Sequence, residues 1–440
     1  MKKIKKISVL GLGKSGTAAA NLAVKLKYNV LASDAGAERE IKGLDKKVKL
    51  EFNGHSENVL DADFIVKSPG IHRDINIIKK AQKRKIPIIS ELRFALDHSK
   101  FKMLIAVTGT NGKTTVTDLI SKIIKKRCKH SFAAGNIGCP LSKKVLQTSR
   151  DTVITAEVSS YQLEDTPNFH CRIAVLLNIT PDHLEHHKTF SNYIRAKKNI
   201  CINQKNTDFA IANYDDKICR RLAQESKGAK VFFSLRSLKE GVYFEDGKII
   251  FKFKNKEQSI NPKIRLAGKH NISNILAACA AAFCASIDLK TIENTISSYK
   301  GMPHRIEFVK KINGADFYND SKSTNVDSTK TALEAFEGNI ILIMGGRDKG
   351  FPYTPLKELI KEKVKAALLI GEAAEKIKSD LSEISFIDCG DLKNAFQKAA
   401  DLSKEGDIVL LSPGCASFDQ FKNFEERGDF FKSLALSRKS

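Results

Sequence analysis

One segment constrains the fold more than any other. An apolar run, Met103–Val107, passes directly into Thr108–Gly109–Thr110–Asn111–Gly112–Lys113–Thr114–Thr115, and residues with helical spacing, Val116–Lys126, follow. A glycine-rich turn between a buried strand and a helix presents backbone N–H groups and the positive end of the helix dipole to phosphate oxygens. Lys113 is placed to neutralise β- and γ-phosphates, and the Thr114 hydroxyl to reach Mg²⁺. The usual phosphate-loop spacing would put glycine at position 107, where this chain has Val107; Gly109, Gly112, Lys113 and Thr114 remain, so the cradle survives. Gly109, Thr110, Asn111, Gly112, Lys113, Thr114 and Thr115 are therefore expected to bind ATP. A strand that feeds a helix in this way belongs to an α/β layer with a mostly parallel sheet.

The same alternation runs through the rest of the chain. Upstream, the apolar run Ile7–Leu12 overlaps Gly11–Gly13–Gly16, a helix-spaced segment Thr17–Lys27 follows, and Asp34 ends a second strand, Val30–Ala32. This G-x-G-x-x-G pattern with a later acid suits a pyrophosphate and a ribose hydroxyl. By itself it admits NAD, another nucleotide diphosphate, or a tight structural turn. Further strands are expected at Phe64–Lys67, before Ser68–Pro69–Gly70, and at Ile86–Ile89. After the phosphate loop come Thr152–Glu157, Ile173–Leu177 and Phe209–Ala212, then a hairpin of Val242–Phe244 and Ile249–Phe253 about Asp246–Gly247. The last 140 residues contribute Ile340–Met344, Ala366–Ile370 and Ile408–Leu411, each ending in a Gly- or Pro-bearing loop where doubly wound sheets bind ligands. A length of 440 residues accommodates about three domains, with boundaries expected at 1–98, 99–302 and 303–440.

Composition narrows the function. The longest uncharged apolar stretch, Ile275–Ala285, suits a buried helix and is too short to cross a bilayer, and Ile7–Leu12 is too brief for a secretory leader. Nine scattered cysteines without a C-x-x-C pair read as reduced, mostly buried thiols of a cytoplasmic protein. The net charge of +24 raises nucleic-acid binding, but the excess consists of 58 lysines against 16 arginines, spread along the chain with no aromatic interleaving. Base-reading and stacking surfaces favour arginine and exposed aromatics, so solvated lysine faces are expected and no nucleic acid.

Downstream of the phosphate loop, Glu157 ends an apolar strand, where a second acid for Mg²⁺ is expected; the following Ser159 and Ser160 also suit a helix cap. His183 ends Asn178–Ile179–Thr180–Pro181–Asp182–His183, and His186 and His187 follow closely. No cysteine or spaced pair completes a tetrahedral zinc set. One histidine joining carboxylates around a divalent ion is the favoured reading, with His186 and His187 as exposed turn residues. Five more polar islands sit in loops: Gly268–Lys269–His270–Asn271 with Asn274, Pro303–His304–Arg305, Asn319–Asn325, Gly345–Lys349 and Ser412–Ser417. Together with a phosphate loop they suggest one composite site.

In this order the motifs resemble the Mur ligase family of peptidoglycan synthesis, over essentially the whole chain. The tail Ser412–Gly428, Asn319–Asn325 and Gly268–Asn274 are most similar to its D-glutamate-adding branch. The resemblance implies three domains: an N-terminal Rossmann-like domain for the UDP-substrate, a central P-loop ATPase domain, and a C-terminal Rossmann-like amino-acid domain. It implies a monomeric cytoplasmic enzyme whose small-molecule substrates are UDP-N-acetylmuramoyl-L-alanine and D-glutamate, with no membrane insertion. ATP would activate the L-alanyl carboxylate as an acyl phosphate, which the D-glutamate amine then attacks.

Carried over by residue, the resemblance makes Lys113, Glu157, His183 and Lys197 catalytic. Thr114 and Glu157 would hold one Mg²⁺, and His183 with Lys197 a second. Lys197 lies in Tyr193–Ile194–Arg195–Ala196–Lys197, the family's setting for a carbamylated lysine; Lys198 is the alternative if the register slips. Asn271 and Asn274 would face adenine, and Arg305 and Asp320 the phosphates and ribose. Ser15, Asp34, Ser68, Pro69 and Gly70 would meet uridine, Asn136 the muramoyl part, and Ser159 would also bind the UDP-substrate. Lys322, Thr324, Lys349, Ser417 and Phe424 would hold D-glutamate. Arg347 and Asp348 stand where some relatives have smaller residues, which leaves amino-acid selectivity open, and another amide ligase of Mur or folylpolyglutamate type is the alternative.

Overall fold

The protein is described by a computed structural model covering residues 5–136, 138–266 and 268–438. Of the basic run Lys2–Lys6, only Lys5 and Lys6 lie within it. Apolar runs bounded by glycine-rich turns form strands of three sheets. The first is wholly parallel, in the order Lys49–Glu51, Asn29–Ser33, Lys6–Leu10, Phe64–Lys67, Ile88–Ser90. Strand order reverses at Lys6–Leu10, so the Gly11–Gly16 turn and the Ser68–Gly70 turn emerge side by side. Their contact is direct: Ser68 Oγ donates to the Gly11 carbonyl at 3.0 Å.

The second sheet has Met103–Thr108 at its centre, flanked by Val153–Glu157 and Ile173–Leu176. All three run parallel, in a register that pairs Val107 with Glu157 and Thr108 with Leu176. Ser131–Gly135 closes one side, and Phe209–Asn213 and Ala229–Ser234 extend the other in parallel. Gly241–Glu245, Lys248–Phe253 and Lys256–Ile260 then add an antiparallel margin, as the Asp246–Gly247 signal predicted. The third sheet runs Glu307–Ile312, Ala315–Asn319, Ile408–Leu411, Ile340–Gly345, Val364–Ile370, Phe386–Gly390, antiparallel only at its first pair.

Two compact units contain these sheets. The first two belong to residues 1–262 and 273–296, the third to 263–272 and 297–440; the division falls inside the Lys269–Cys284 helix. Within the first unit one continuous apolar core joins Ile7, Val9 and Ala19 to Leu104, Ala106 and Ile154. In the second unit Leu342 and Leu410 face one side of the sheet and Ile343 and Leu411 the other, the alternation of a strand buried on both faces.

Two helices begin earlier than periodicity predicts, Lys14–Lys25 and Lys113–Lys125. Gly13 and Gly112 are their N-caps, so each glycine turn enters the helix with no intervening loop. Among the described residues no helix is long and apolar enough to cross a membrane. All nine cysteines are free, with Cys171, Cys201, Cys219, Cys279 and Cys415 buried.

Candidate active site

Parallel strands deliver their following loops to one edge, and in the central sheet this edge gathers the expected catalytic residues. Gly112 adopts φ 83°, a left-handed conformation that glycine reaches at little cost, and no side chain caps the helix it opens. The N-terminus of Lys113–Lys125 thus turns the positive end of its helix dipole toward this loop. A Cβ at position 112 would strike the Asn274 side chain, so Asn274 lies against the phosphate loop itself. The loop is laced to the next strand's exit: Thr110 N donates to the Asn178 carbonyl at 2.8 Å, Asn111 N to Asn178 Oδ1 at 2.8 Å, and Thr180 N to Thr110 Oγ1 at 3.1 Å. Lys113 Nζ folds back on the loop, donating to the carbonyls of Gly109 at 2.9 Å and Thr110 at 2.7 Å.

Thr114 Oγ1 donates to Glu157 Oε2 at 2.8 Å, and Asn136 Nδ2 donates to Glu157 Oε1 at 3.1 Å. Thr114, Glu157 and Asn136 come from three separate elements, and register alone brings them together. Ser159, two residues on, is an N-cap: its Oγ accepts from Gln162 N at 3.2 Å while Gln162 Oε1 accepts from Ser159 N at 3.0 Å. The capping reading of this segment holds for Ser159, while Glu157 faces the phosphate loop through Thr114.

Lys197 lies on the Phe190–Lys198 helix, 1% exposed, and its Nζ donates to the Gly109 carbonyl at 2.8 Å. Burial, reinforced by the charge of Lys113, brings its amine down to about 7. The ammonium rests 4.7 Å from the centroid of the Tyr193 ring, and Tyr193 Oη lies 3.0 Å from Thr110 Oγ1. Lys198, the alternative register, instead pairs with Glu225.

His183 takes φ 53°, a conformation unusual for a residue with a Cβ and one that concentrates at functional sites. Its imidazole is exposed, near Asp182 at 3.4 Å and Glu185 at 3.6 Å, and packs on the Tyr161 ring at 5.0 Å between centroids. His186 and His187 are not the exposed turn residues expected. The side chain of His186 is 4% exposed with Nε2 2.9 Å from Glu164 Oε2, and the buried His187 has Nε2 2.9 Å from Ser160 Oγ. The Ser160–Glu164 helix covers them with the Tyr161 ring, a tertiary contact that local sequence does not announce.

In the N-terminal sheet Asp34 serves the glycine turn, accepting from Leu12 N at 2.7 Å and Gly36 N at 2.9 Å beside Arg39. Those hydrogen bonds and Arg39 outweigh desolvation and hold its carboxyl below the usual range. Ser15 lies on the helix after that turn. Lys67, next to Ser68, was missed as a feature of this site. It is wholly buried, pairing with the buried Asp165 at 2.8 Å and donating to the Ile71 carbonyl at 2.7 Å, so it braces the Ser68–Pro69–Gly70 turn from beneath.

The second unit gathers its own cluster at the sheet edge. Lys349 Nζ donates to Thr324 Oγ1 at 3.3 Å, and Lys322 Nζ stands 5.7 Å from the centroid of Phe424. Ser417 is buried in the adjacent Ser412–Ser417 loop. Gly346 has φ 131°, and a Cβ there would strike the Ala416 carbonyl; glycine therefore lets the Gly345–Lys349 loop close on Ser412–Ser417. Arg347 and Asp348 are engaged elsewhere, Arg347 with Glu372 at 3.0 Å and Asp348 with Lys376 at 3.1 Å. Sequence reasoning missed Arg427, a buried guanidinium that donates to Ser321 O and Ser321 Oγ, both at 2.9 Å, and to the carbonyls of Cys415 and Ala416. Asp320 is also buried, accepting from Ser412 Oγ at 2.9 Å, Ile306 N at 3.1 Å and Ser323 Oγ. Its carboxyl is raised to about 6 by burial, which outweighs those donors. Arg305 is exposed, and Asn271 is buried at the start of the Lys269–Cys284 helix.

Family models cover all three parts: a MurD-like N-terminal domain over 5–90, a Mur ligase middle domain over 107–282, and a Mur ligase glutamate ligase domain over 304–415. The chain belongs to the Mur ligase family. Its relatives include the UDP-N-acetylmuramoylalanine--D-glutamate ligase of Elusimicrobium minutum, 43% identical over 98% of both chains. The enzyme of that name from Koribacter versatilis is 40% identical over 98% of this chain and 97% of its own. Solved Mur ligases share the three-domain α/β fold. The Thermotoga maritima UDP-N-acetylmuramate-alanine ligase superposes with a TM-score of 0.60 at 18% identity, covering 99% of this chain and 100% of that one. The MurF ligase of the same organism, in complex with ADP, gives 0.61 at 17% identity over 100% and 97%.

Proposed function

We propose that this Mur ligase joins D-glutamate to UDP-N-acetylmuramoyl-L-alanine in cytoplasmic peptidoglycan precursor synthesis, cleaving ATP to ADP and phosphate. The Thr114–Glu157 pair at 2.8 Å, beside the uncapped N-terminus that bears Lys113, carries the phosphoryl-transfer half. Likeness to D-glutamate ligases at about 40% identity over nearly the whole chain supports the choice of substrates. The assigned domains are 1–98 for the UDP-substrate, 99–302 for ATP and 303–440 for the amino acid.

The central difficulty is that a carboxylate must approach a triphosphate of like charge. Lys113 exchanges the carbonyls of Gly109 and Thr110 for the β- and γ-phosphate oxygens, and the positive end of the Lys113–Lys125 helix holds the rest. The Thr114 hydroxyl and Glu157 carboxylate are oxygen donors suited to a hard cation. They would hold one Mg²⁺, and His183 with Lys197 a second. When bound, magnesium screens the triphosphate and polarises the terminal phosphoryl group. Asn274 and Asn271 face adenine and Arg305 the phosphates; Asp320, buried and accepting from Ser412, Ser323 and Ile306, holds its own loops together instead. Ser15, Asp34 and Ser68–Gly70 hold the uridine, and Asn136 and Ser159 the muramoyl part. Lys349, Thr324, Lys322, Ser417 and Phe424 hold D-glutamate, whose amine is the nucleophile of the second step.

Lys197 acts as a carbamate. An amine brought down to about 7 exposes a substantial neutral fraction at neutral pH, the form that adds CO₂ and releases a proton to leave an anion. Lys197→Ala should lose most activity, and protein prepared without bicarbonate should regain activity when bicarbonate is added. A fully active Lys197→Ala enzyme would exclude the carbamate.

The assay for the reaction as a whole is phosphate release from ATP. It should require both UDP-N-acetylmuramoyl-L-alanine and D-glutamate. Equal turnover with L-lysine or diaminopimelate would reassign the chain to a sibling ligase, and competition by folate to a folylpolyglutamate-type enzyme.

A further inference from the structure

The three histidines clustered after Asp182 lack, in sequence, the partners that would complete a metal set. The fold supplies a carboxylate from another helix. Glu164, at the end of the Ser160–Glu164 helix, brings Oε2 to 2.9 Å from His186 Nε2. One ligand atom each from Glu164, His186 and His187 lies within 4.8 Å of the others. His72 stands beside them, its ring centroid 4.8 Å from that of His186. His183 is outside this group.

We propose that Glu164, His186 and His187 form a site for one borderline divalent transition ion, of the zinc, cobalt or nickel class. Two imidazoles and one carboxylate are the donor set such ions prefer over Mg²⁺, whose chemistry favours oxygen. Three protein ligands leave a fourth position open to water or His72, which makes the ion exchangeable. Arg73 orients the carboxylate: its guanidinium lies 3.6 Å from Glu164 Oε1 and donates to the Glu164 carbonyl at 2.9 Å, while Oε2 faces the histidines. The half-buried Glu164 and nearly enclosed His186 are already held together, since Tyr161 of the Ser160–Glu164 helix packs on both the His186 and His187 rings. An ion here would tie the Ser160–Glu164 helix to the Leu184–His187 turn, whose N-cap is His183.

The test is a Co²⁺ titration of the full-length protein in saturating Mg²⁺, followed by visible absorption. One equivalent should give ligand-field bands of a four- or five-coordinate site without thiolate charge transfer. His186→Ala, and the conservative Glu164→Gln, should each weaken the apparent Kd at least tenfold, as first-sphere changes do, while His183→Ala keeps the bands. Absence of bands, thiolate charge transfer, or bands undiminished in both His186→Ala and Glu164→Gln would overturn the site. So would loss of the bands in His183→Ala alone.

Discussion

At the residue scale, two groups make the electrostatics measurable. Lys349 Nζ donates to Thr324 Oγ1, while its neighbours Arg347 and Asp348 pair with Glu372 and Lys376. Lys349→Ala should therefore raise the KM for D-glutamate by roughly ten- to a hundredfold, the scale of one hydrogen bond to a charged group. The KM for ATP should stay unchanged; a parallel rise in both would contradict the assignment of Lys349 to the amino acid. Asp320 gives a pH signature. Burial raises its carboxyl from the ordinary 3.8 to about 6, so between those values the folded chain holds a proton that the unfolded chain has lost. Its stabilising contribution is complete below about 4 and fades as pH rises through about 6. Asp320→Asn should flatten the urea-midpoint profile of the transition reporting on this unit over that interval, and an unchanged slope would show that another group titrates there.

At the element scale, helix N-termini decide where the chemistry can occur. No side chain caps the Lys113–Lys125 helix, which begins at Gly112, whereas the short Ser160–Glu164 helix closes on itself through Ser159 and Gln162. Loss of such a cap costs about 1 kcal/mol. Ser159→Ala should lower the unfolding midpoint of the protein accordingly, read by circular dichroism in a denaturant series. If Ser159 also meets the muramoyl part, the KM for the UDP-substrate rises with it; a rise without any loss of stability would mean the cap contributes nothing. The glycines at 112 and 346 serve the opposite purpose, allowing loop backbones to approach where any side chain would intrude.

At the scale of the molecule, a buried ion pair links the first two sheets. Lys67 ends a strand of the N-terminal sheet, Asp165 follows the Ser160–Glu164 helix, and both are nearly inaccessible; Arg73 adds a second contact to Asp165 at 2.6 Å. Removing one partner of a buried pair leaves the other charge uncompensated, at a cost of about 3–5 kcal/mol. Asp165→Ala should destabilise the first unit by that amount in thermal or urea unfolding, and weaken UDP-substrate binding because Lys67 also braces the Ser68–Gly70 turn. A loss below 1 kcal/mol would place the pair among solvated contacts. On the surface, by contrast, pairs such as Lys357 and Lys361 with Glu383 are solvated and contribute little.

Much of the protein is legible along the chain, because local patterns record local requirements. The strand–glycine turn–helix at Thr108–Thr115, the hairpin at Asp246–Gly247 and the loops at Gly345–Lys349 and Ser412–Ser417 all appear where sequence predicts them. Other features follow from pairings remote in sequence. A lysine read alone belongs on the surface, yet Lys67 and Lys197 are interior because Asp165 and the Gly109 carbonyl receive them. Arg427 and Asp320 became organisers of three loops, and Glu164 met His186, for the same reason. The amino-acid sequence alone determined where a buried strand passes through a glycine turn straight into a helix, since that depends on backbone freedom and helix periodicity at neighbouring positions. Only the tertiary structure decided which charges are buried and with which partners, since desolvation and hydrogen bonding act between groups that the fold brings together.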